Sequence, residues 1–408
     1  MQRNGGKLGE KEQNKFNKYS ESKTKEKNII NQPIFLKSNS ADENKNNIQT
    51  PLQSSKSSDS KNPYSDLNNL NNLLSEYAKD FYEKFELIEL LKSGSAGAVY
   101  RGKLRDKVNS RPIAFKFLFS NIKEKKNKLV KEKSDSIVKE NINHSEIKIH
   151  GVLKNIHIPE IYGYYKIHNS SCIAMEFDKY GDIENFKRKI LKRSSLSESL
   201  VLYIAGGILE ALFYIHSKYK IIHMDIKQQN VLIDDFLMIK LTDFSVSVNY
   251  KTQKNYIDLP MVGTCYYMSP EVLNKKRILV SEASKIDIYS LGVLLYLLAF
   301  YDYPYKLNDI DSKDYTGIAN NIANNNLEFP EETGHSKVFL KFLEKCLNKD
   351  IKKRYDIYQA MNDPWVKGYQ IILNEKEKTY NAGKFIIDLM VDNLMNFNNY
   401  IRKQESFL

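Results

Sequence analysis

The sequence has few cysteines and lacks an apolar run long enough to cross a bilayer. Its three cysteines, Cys172, Cys265 and Cys346, cannot all pair and do not have the close spacing of a zinc or redox site. This usage is typical of reduced thiols, so we expect an intracellular protein, either cytoplasmic or nuclear. The longest apolar stretch, LGVLLYLLAF at 291–300, has about half of the ~20 residues that a membrane-spanning helix needs. It predicts a buried helix, and we expect no membrane span.

The first residues, MQRNGGKLGEKEQ, lack the apolar segment of a secretory signal. Gln2 also stands where N-myristoylation requires Gly. We therefore expect a protein that is neither secreted nor lipidated.

Positive charge exceeds negative charge, with 62 Lys and Arg against 50 Asp and Glu and a formal net charge of +12. Nucleic acid, anionic membrane and phosphorylated ligands would all suit this balance. An Asn- and Lys-rich composition along solvated tails accounts for the excess without any binding patch. We therefore expect no nucleic-acid partner.

The N-terminal part of the chain divides into two predicted segments. Residues 1–65 are rich in Asn, Lys, Ser, Gln and Glu and lack the apolar density of a core, which predicts disorder. Residues 66–84 are predicted to form a helix that flanks the following domain. Apolar residues recur from this segment into the first residue after it every three to four positions, at Leu67, Leu70, Leu74, Tyr77, Phe81 and Phe85.

The next segments alternate between strand-like and helix-like patterns. Short runs rich in Val, Ile, Tyr and Phe predict a small antiparallel sheet: FELIELL, AVYRGKL, RPIAFKFLF, IYGYYKI and SCIAMEF. One helix-like stretch, roughly 130–153, interrupts them. After residue 180 or so, LVLYIAGGILEALFYIHSKY and SKIDIYSLGVLLYLLAFY are too long for strands. This order predicts an α+β fold with a ligand cleft between two lobes.

Residues 371–408 form a predicted C-terminal extension that carries an amphipathic helix. Within 383–401, the apolar residues of one helical face are Ile387, Met390, Val391, Leu394 and Ile401. A membrane surface or a partner protein would suit this face. The polar face carries Asp388 and Asp392, which disfavours anionic lipid, so we expect the helix to pack on the domain itself.

Two short segments of the sheet region suit phosphate binding. In LLKSGSAGAVYRGKL, Gly94 and Gly97 sit in a turn between strands, where backbone without side chains approaches phosphates, although an ordinary hairpin has the same pattern. Lys116 follows in the strand IAFK, and Glu146 lies on the helix-like stretch. A lysine held between a carboxylate and nucleotide phosphates makes a charge-assisted clamp.

The loop HMDIKQQN brings together Asp225, Lys227 and Asn230, and the following DFS adds Asp243. Two carboxylates and an amide suit Mg²⁺, a hard ion that takes oxygen ligands while it bridges phosphates. These segments, in this order and followed by GTCYYMSPE, resemble the protein-kinase family over residues 85–370. The resemblance implies a bilobal fold, with a small antiparallel β-sheet lobe that carries one key helix and a larger helical lobe.

The resemblance also implies roles for individual residues. Asp225 is the expected catalytic base, and Lys227 is expected to neutralise the transferring γ-phosphate. Asn230 and Asp243 are the expected Mg²⁺ ligands. Met175 is the expected gatekeeper of the hinge MEFD. The implied ATP-binding residues are Lys92, Ser93, Gly94, Ser95, Ala96, Gly97, Val99, Ala114, Lys116, Glu146, Met175, Glu176, Asp178 and Leu232.

Other residues resemble structural features of the same family. Glu271 and Arg354 are similar to its buried ion pair, and Asp287 to the helix aspartate that braces the catalytic loop. Lys227, two residues after Asp225, and Thr264 in GTCYYMSPE resemble serine/threonine kinases more than tyrosine kinases. We therefore expect ATP and Mg²⁺ as cofactors and a protein substrate with Ser or Thr acceptors.

Four positions depart from the family pattern. Lys92 replaces the first glycine of the loop, Met224 the arginine of HRD, and Ser245 the glycine of DFG. His150 stands where an apolar residue usually packs, and we expect it to be neutral and hydrogen-bonded. These departures leave a pseudokinase or nucleotide-binding scaffold as the alternative to an active enzyme, and a small-molecule kinase as a third hypothesis.

The Met224 substitution also predicts how the protein is regulated. A phosphate on the activation segment has no arginine to pair with at this position. We therefore expect activity that does not depend on the acceptors of that segment, which are Ser247, Tyr250, Thr252 and Tyr256.

Overall fold

A computed structural model describes most of the chain from residue 78 onwards. The described ranges are 78–94, 97–107, 110–119, 145–167, 170–192, 195–307, 310–378, 385–386, 388–389 and 394–408. The predicted tail at 1–65 and the first part of the predicted flanking helix, 66–77, lie outside these ranges.

The N-terminal lobe is built on a five-stranded antiparallel sheet with the order β1-β2-β3-β5-β4. All five strands form where the Val-, Ile-, Tyr- and Phe-rich runs predict them. Their bounds are Phe85–Gly94, Gly97–Leu104, Ile113–Phe119, Ile161–Ile167 and Ser170–Glu176 for β1 to β5. Of the stretch predicted as helical at 130–153, the described residues 145–150 form a helix, α2.

Helix α1, Ala78–Lys84, leads directly into β1. Phe81 is fully buried, with its ring centroid 5.3 Å from that of Phe115 and 5.3 Å from that of Tyr165. Phe85 continues the helical spacing of Phe81, which predicted it on the helical face. The structure instead places Phe85 as the first residue of β1. The aromatic contacts across the sheet favour the extended backbone at this position.

The C-terminal lobe is helical and surrounds two apolar helices. Its helices are α3 Ile183–Asn185, α4 Glu198–Tyr214, α5 Pro270–Leu273, α6 Ser284–Phe300, α7 Tyr315–Asn324, α8 Lys337–Cys346, α9 Ile357–Met361, α10 Pro364–Lys378 and α11 Met395–Glu405. π-Helical turns continue α3 over Phe186–Leu191 and α4 over Ile215–Tyr219. Sheet order and helical content together confirm the predicted bilobal α+β fold.

Short strands at the base of the cleft position the polar loops. Strands β6, β8 and β9 form a three-stranded sheet, β7 pairs with β10, and β11 pairs with β12. Their bounds are Gly181–Asp182, Ile221–Ile222, Val231–Ile233, Ile239–Leu241, Val248–Asn249, Tyr256–Ile257 and Ile278–Leu279 for β6 to β12. The loop HMDIKQQN therefore runs between β7 and β8, with both ends fixed.

Two helical stretches of the described chain, Glu198–Tyr219 and Val280–Phe300, are long and apolar enough to cross a membrane. However, 83% and 89% of their apolar windows are buried inside the fold, as in the core helices of a globular domain. The stretch 291–300 lies within α6, which confirms the prediction of a buried helix there.

The C-terminal extension packs on the helical lobe. Helix α10 continues across the boundary predicted at residue 370. The Ser199 hydroxyl donates to the carbonyl oxygen of Leu389 at 2.7 Å, and the Lys337 backbone N–H donates to Glu405 Oε1 at 2.9 Å. Of the predicted apolar face, Leu394 and Ile401 are buried, whereas the side chains of Ile387, Met390 and Val391 lie outside the described part of the structure.

Phe397 tests whether this extension contributes to stability. Its ring is 2% exposed and lies against Gly368 of α10. We expect Phe397→Ala to lower the free energy of unfolding by about 3–5 kcal/mol, because it leaves a cavity in the core. Chemical denaturation is the measurement. Phe407→Ala, at a 73% exposed ring, is the control and should change stability by less than about 0.5 kcal/mol. Equal effects of the two variants would contradict this packing.

Candidate active site

A lysine in the cleft joins the two lobes. Lys116 Nζ, on β3, donates to Glu146 Oε1 of α2 at 2.5 Å and to Asp243 Oδ1 at 2.8 Å. Glu146 is buried, and the side chain of Asp243 is about one-third exposed towards the cleft. The three residues are far apart in the sequence, and the fold brings them into one ion triad.

Lys116 and Asp243 keep their charges despite burial. Burial alone would lower the pKa of Lys116, but the carboxylates of Glu146 and Asp243 outweigh it and raise the pKa above its ordinary value. Burial raises the pKa of Glu146, and Lys116 opposes this. For Asp243, burial would raise the pKa, yet the Lys116 ammonium holds it well below the usual range. Asp243 is therefore an ionised carboxylate facing the cleft.

The predicted phosphate loop is the hairpin between β1 and β2. Gly94 pairs with Gly97, and Ser93 with Ala98, at its end. A Cβ atom on Gly97 would lie 2.0 Å from the carbonyl oxygen of Phe117, so only glycine allows this approach of β2 to β3. Lys92 and Ser93 are exposed, and Ser95 and Ala96 lie outside the described ranges.

Three of the residues expected around adenine lie in the five-stranded sheet, and the fourth, Leu232, lies on β8. Ala114 pairs with Met175 across β3 and β5, and Val99 pairs with Lys116 across β2 and β3. Met175 is buried, while Val99 and Leu232 are half-buried. The strand pairing thus places Val99, Ala114 and Met175 on the same face of the sheet as Lys116.

One hinge side chain, that of Glu176, is held by a lysine that the sequence pattern does not single out. Lys240 Nζ, on β9, donates to Glu176 Oε2 at 2.7 Å, so the Glu176 carboxylate is engaged within the protein. Burial raises the pKa of Asp178 well above its usual range, and both of its carboxyl oxygens lack a hydrogen-bond partner among the described residues. The Glu176 carboxylate is therefore engaged within the protein, whereas the buried Asp178 carboxyl is not engaged by any described residue.

The loop after β7 gathers the other predicted polar residues around Asp225. Its Oδ2 accepts from Lys227 Nζ at 2.6 Å and from Asn230 Nδ2 at 2.9 Å. Its Oδ1 accepts from the Thr264 backbone N–H at 2.9 Å and from the Thr264 hydroxyl at 3.0 Å. Lys227 Nζ also donates to Thr264 Oγ1 at 2.8 Å. The carboxylate is thereby fixed in orientation from both sides.

The backbone ahead of Asp225 is braced by Asp287, which is fully buried on α6. Its carboxylate accepts from the backbone N–H of His223 at 2.7 Å and of Met224 at 2.9 Å, and from His216 Nε2 at 2.7 Å. This confirms the expected contact of Asp287 with the loop. The sequence analysis missed His216, although its position in the buried half of an apolar helix was a signal.

His150, His223 and Phe244 form an aromatic column between α2 and the loop. The Phe244 ring centroid lies 5.0 Å from that of His150 and 5.0 Å from that of His223. His150 Nε2 donates to the carbonyl oxygen of Pro159 at 2.9 Å, and burial lowers the pKa of this histidine to about 4. His150 is thus neutral and hydrogen-bonded, which confirms the expectation.

A buried ion pair supports the segment that follows. Both guanidinium terminal nitrogens of Arg354 donate to the Glu271 carboxylate, at 3.0 and 3.1 Å, and both side chains are buried. This bidentate geometry is the strong form of an ion pair. The expected contact of Glu271 with Arg354 is confirmed.

Comparison with known proteins matches this geometry to a family. The family model described as "Protein kinase domain" matches residues 85–366. The chain belongs to the protein kinase family.

Curated relatives include kinases of several kinds. The chain is 30% identical to a dual specificity mitogen-activated protein kinase kinase, jkk-1, of Caenorhabditis elegans, over 70% of this chain and 62% of that protein. It is 28% identical to the serine/threonine-protein kinase pakH of Dictyostelium discoideum, over 69% of this chain and 50% of that protein. It is 29% identical to an Aurora kinase of the same organism, over 70% and 66%. The chain thus spans between half and two thirds of the length of these relatives.

The departures from the kinase pattern do not disturb the site. Ser245 is not among the residues with positive φ, so the observed backbone does not require glycine there. Met224 adopts φ 72° and is buried in the core of the helical lobe, where its N–H is bound to Asp287. Lys92 is exposed. None of the three displaces a charged residue of the triad or of the Asp225 cluster.

The histidine column predicts a pH dependence of stability. The pKa of His150 is lowered to about 4 from 6.5, so between these values the unfolded chain binds more protons than the folded one. The contribution of His150 to the free energy of unfolding is fully present above the unfolded pKa. It is lost as the pH falls towards the folded pKa, by up to about 1.4 kcal/mol per pH unit. In His150→Leu, the free energy of unfolding should therefore fall less steeply below about pH 6.5 than in the parent. Urea denaturation at several pH values measures this, and equal slopes would contradict it.

Proposed function

We propose that this protein kinase is an ATP- and Mg²⁺-dependent enzyme that transfers the γ-phosphate to Ser or Thr hydroxyls of proteins. One observation carries the proposal: every charged group needed for phosphoryl transfer is present and already in contact. Lys116 is paired with Glu146 and Asp243, and Asp225 is held by Lys227, Asn230 and Thr264. Phosphoryl transfer depends mainly on such positioning and charge compensation.

The donor set at the end of the cleft fits Mg²⁺. Asp243 is ionised, and the Asn230 amide nitrogen donates to both the backbone oxygen and Oδ2 of Asp225, which leaves Asn230 Oδ1 free to act as a ligand. Among the described residues, no group of three or more His, Cys, Asp or Glu could hold a metal alone. A site with two protein oxygens suits Mg²⁺, which shares substrate phosphates as ligands and neutralises their charge when bound.

Asp225 is placed to act as the base for the acceptor hydroxyl. Its carboxylate is fixed by four hydrogen bonds, so one of these donors must give way before the carboxylate can accept the proton of the acceptor hydroxyl. The Lys227 ammonium lies 2.6 Å from the same carboxylate and is available to a transferring phosphate. The contacts of Thr264 with Asp225 and Lys227 favour a serine/threonine kinase over a tyrosine kinase.

The rival hypothesis is a pseudokinase that uses the cleft only to bind nucleotide. Purified protein, labelled ATP and a generic basic protein substrate distinguish the two. We expect phosphotransfer that disappears in Asp225→Asn. A parent protein that is stabilised by ATP on heating but transfers no phosphate with Mg²⁺ or Mn²⁺ would favour the pseudokinase.

The ion triad gives the sharpest test of activity. We expect Lys116→Met and Asp243→Asn each to abolish phosphotransfer and to leave the circular dichroism spectrum unchanged, because both residues act on the nucleotide and its metal. Lys103→Met, at a half-buried lysine of β2 paired with Glu86, is the control and should keep parental kcat/KM. Retention of more than about a tenth of kcat/KM, a loss under ~1.4 kcal/mol, would refute the role assigned to that residue.

The activation segment gives a second test. Ser247 and Tyr250 are buried, and the Ser247 hydroxyl donates to the carbonyl oxygen of His223 at 3.1 Å, so neither is an available acceptor in this conformation. Thr252 and Tyr256 are exposed. Since buried Met224 offers no cation to a phosphate, Thr252→Ala combined with Tyr256→Phe should leave kcat/KM within about threefold, or ~0.65 kcal/mol, of the parent. Steady-state kinetics measure this. Collapse of activity, reversed by Thr252→Glu, would instead identify a substitute phosphate anchor.

A further inference from the structure

One lysine of the C-terminal extension reaches the hairpin of β8 and β9. Lys376 lies on α10, beyond the end of the family match at residue 366. Its Nζ donates to the Tyr203 hydroxyl of α4 at 2.6 Å and to Met238 Sδ at 3.4 Å. Burial lowers the pKa of Lys376 to about 8, so the group is still largely an ammonium at neutral pH. Within the described part of the chain it forms no ion pair, so its contacts are with the hairpin and with α4.

The Tyr203 hydroxyl connects Lys376 to the turn between β8 and β9. Tyr203 is buried, and its hydroxyl donates to the carbonyl oxygen of Leu237 at 2.6 Å. Leu237 has φ 62°, a left-handed backbone conformation that a leucine keeps only where its surroundings hold it. A hydroxyl that accepts a hydrogen bond from an ammonium becomes a stronger donor, because linked hydrogen bonds polarise one another. Lys376 therefore strengthens the bond that holds this turn.

The turn and its two strands form one closed unit. The buried Asp234 carboxylate accepts from the backbone N–H groups of Phe236 and Met238, each at 2.8 Å. The Asp234 N–H donates to the Met238 carbonyl oxygen at 3.1 Å, and three residue pairs join β8 to β9. A displacement of the turn therefore moves both strands.

This hairpin carries groups on which nucleotide binding is expected to depend. Leu232, expected below adenine, lies opposite Lys240 in the pairing of β8 with β9. Lys240 Nζ in turn donates to Glu176 Oε2 of the hinge at 2.7 Å. Asn230 immediately precedes β8, and Asp243 follows β9 by two residues. The position of the hairpin therefore sets the wall below adenine and the predicted Mg²⁺ ligands together.

We propose that Lys376 is a positioning residue for the nucleotide. Through Tyr203 it fixes the β8–β9 hairpin on α4, and the C-terminal extension thereby raises the affinity of the cleft for ATP. Lys376 contacts the turn, at the opposite end of the hairpin from Asn230 and Asp243, and does not touch the nucleotide itself. The inference rests on the proposed function in taking ATP as the nucleotide, but nucleotide binding is measurable without phosphotransfer.

A second contact keeps the hairpin in place when Lys376 is removed. The Leu241 N–H donates to the His157 carbonyl oxygen at 2.8 Å, and His157 Nδ1 lies 2.8 Å from the carbonyl oxygen of Ile239. These contacts hold β9 from the segment that precedes β4. We therefore expect loss of the Lys376 ammonium to shift the hairpin and weaken nucleotide binding without unfolding the domain.

The test measures nucleotide binding by the full chain, using calorimetry with a non-hydrolysable ATP analogue and Mg²⁺ at neutral pH. Lys376→Met removes the ammonium and keeps an unbranched aliphatic side chain. We expect it to bind the analogue about three- to tenfold more weakly than the parent, the range that one hydrogen bond contributes. Lys367→Met is the matched control, because Lys367 is an exposed lysine of the same helix, and it should keep parental affinity.

Kinetics separate positioning of the nucleotide from a general loss of stability. In Lys376→Met the KM for ATP should rise about three- to tenfold, while the KM for the protein substrate stays parental. A purely structural role would lower the melting temperature and leave both KM values unchanged.

Tyr203→Phe tests the route from Lys376 to the hairpin. It removes only a hydroxyl, so it also tests the inference if Lys376→Met fails to fold. We expect Tyr203→Phe to weaken binding of the analogue, and the double variant to bind no more weakly than the weaker single variant. In Lys376→Met, hydrogen–deuterium exchange of the turn between β8 and β9 should be faster than in the parent.

Each outcome decides the proposal. Parental affinity of Lys376→Met for the ATP analogue would overturn it, whatever the melting temperature of that variant. Additive losses in the double variant, or unchanged exchange of the turn, would overturn the route through Tyr203. A parent protein that binds no analogue would overturn both this inference and the proposed function. A parent that binds the analogue but transfers no phosphate, with weaker binding by Lys376→Met, would support the inference and refute only the enzyme activity.

Discussion

One buried carboxylate, that of Asp287, positions the catalytic loop. It is fully inside the helical lobe and accepts three hydrogen bonds, two of them from consecutive backbone N–H groups of the loop. Burying a carboxylate costs free energy unless its oxygens accept hydrogen bonds. The folded state therefore depends on the donors that the loop and His216 supply to Asp287. Met224 is held in a left-handed backbone conformation as a result, and Asp225 follows in a fixed orientation.

The second constraint is the position of Lys116 between lobes. Its two carboxylate partners come from different lobes, so the ammonium holds α2 and the Asp243 segment against the sheet. The rings of His150, Phe244 and His223 pack in a column beside the triad. They connect α2 to the catalytic loop a second time, through apolar contacts. The polar and apolar contacts therefore stabilise one relative arrangement of α2 and the catalytic loop, with the acidic groups facing the cleft.

Much of this arrangement could be predicted from local sequence pattern. The runs from FELIELL to SCIAMEF correspond to strands within a few residues, because alternation and β-branched residues are local signals. The motif residues from Lys116 to Asp243 could also be placed, because their residue types and order along the chain resemble those of the protein-kinase family. Phe85 fits both the helical spacing and the strand run FELIELL, because its four-residue distance from Phe81 continues the helical period into the first residue of the strand.

The contacts that could not be predicted from the sequence join residues that are distant along the chain. Lys240 holds Glu176 from 64 positions away, and His216 reaches Asp287 across 71 positions, with no local pattern for either pair. The burial of Ser247 and Tyr250 likewise follows from where the activation segment crosses the catalytic loop. Sequence spacing identifies the groups that touch substrate, whereas the groups that position them emerge from packing.

The C-terminal extension has a consequence for what counts as the folding unit. Residues beyond the family match at 366, among them Phe385, Leu389 and Phe397, belong to the same hydrophobic core as α4 and α6. A recombinant fragment cut at the edge of the recognised domain would expose this apolar surface to water and to other copies of itself. Protein production and crystallisation of this kinase therefore require a chain that continues through Glu405.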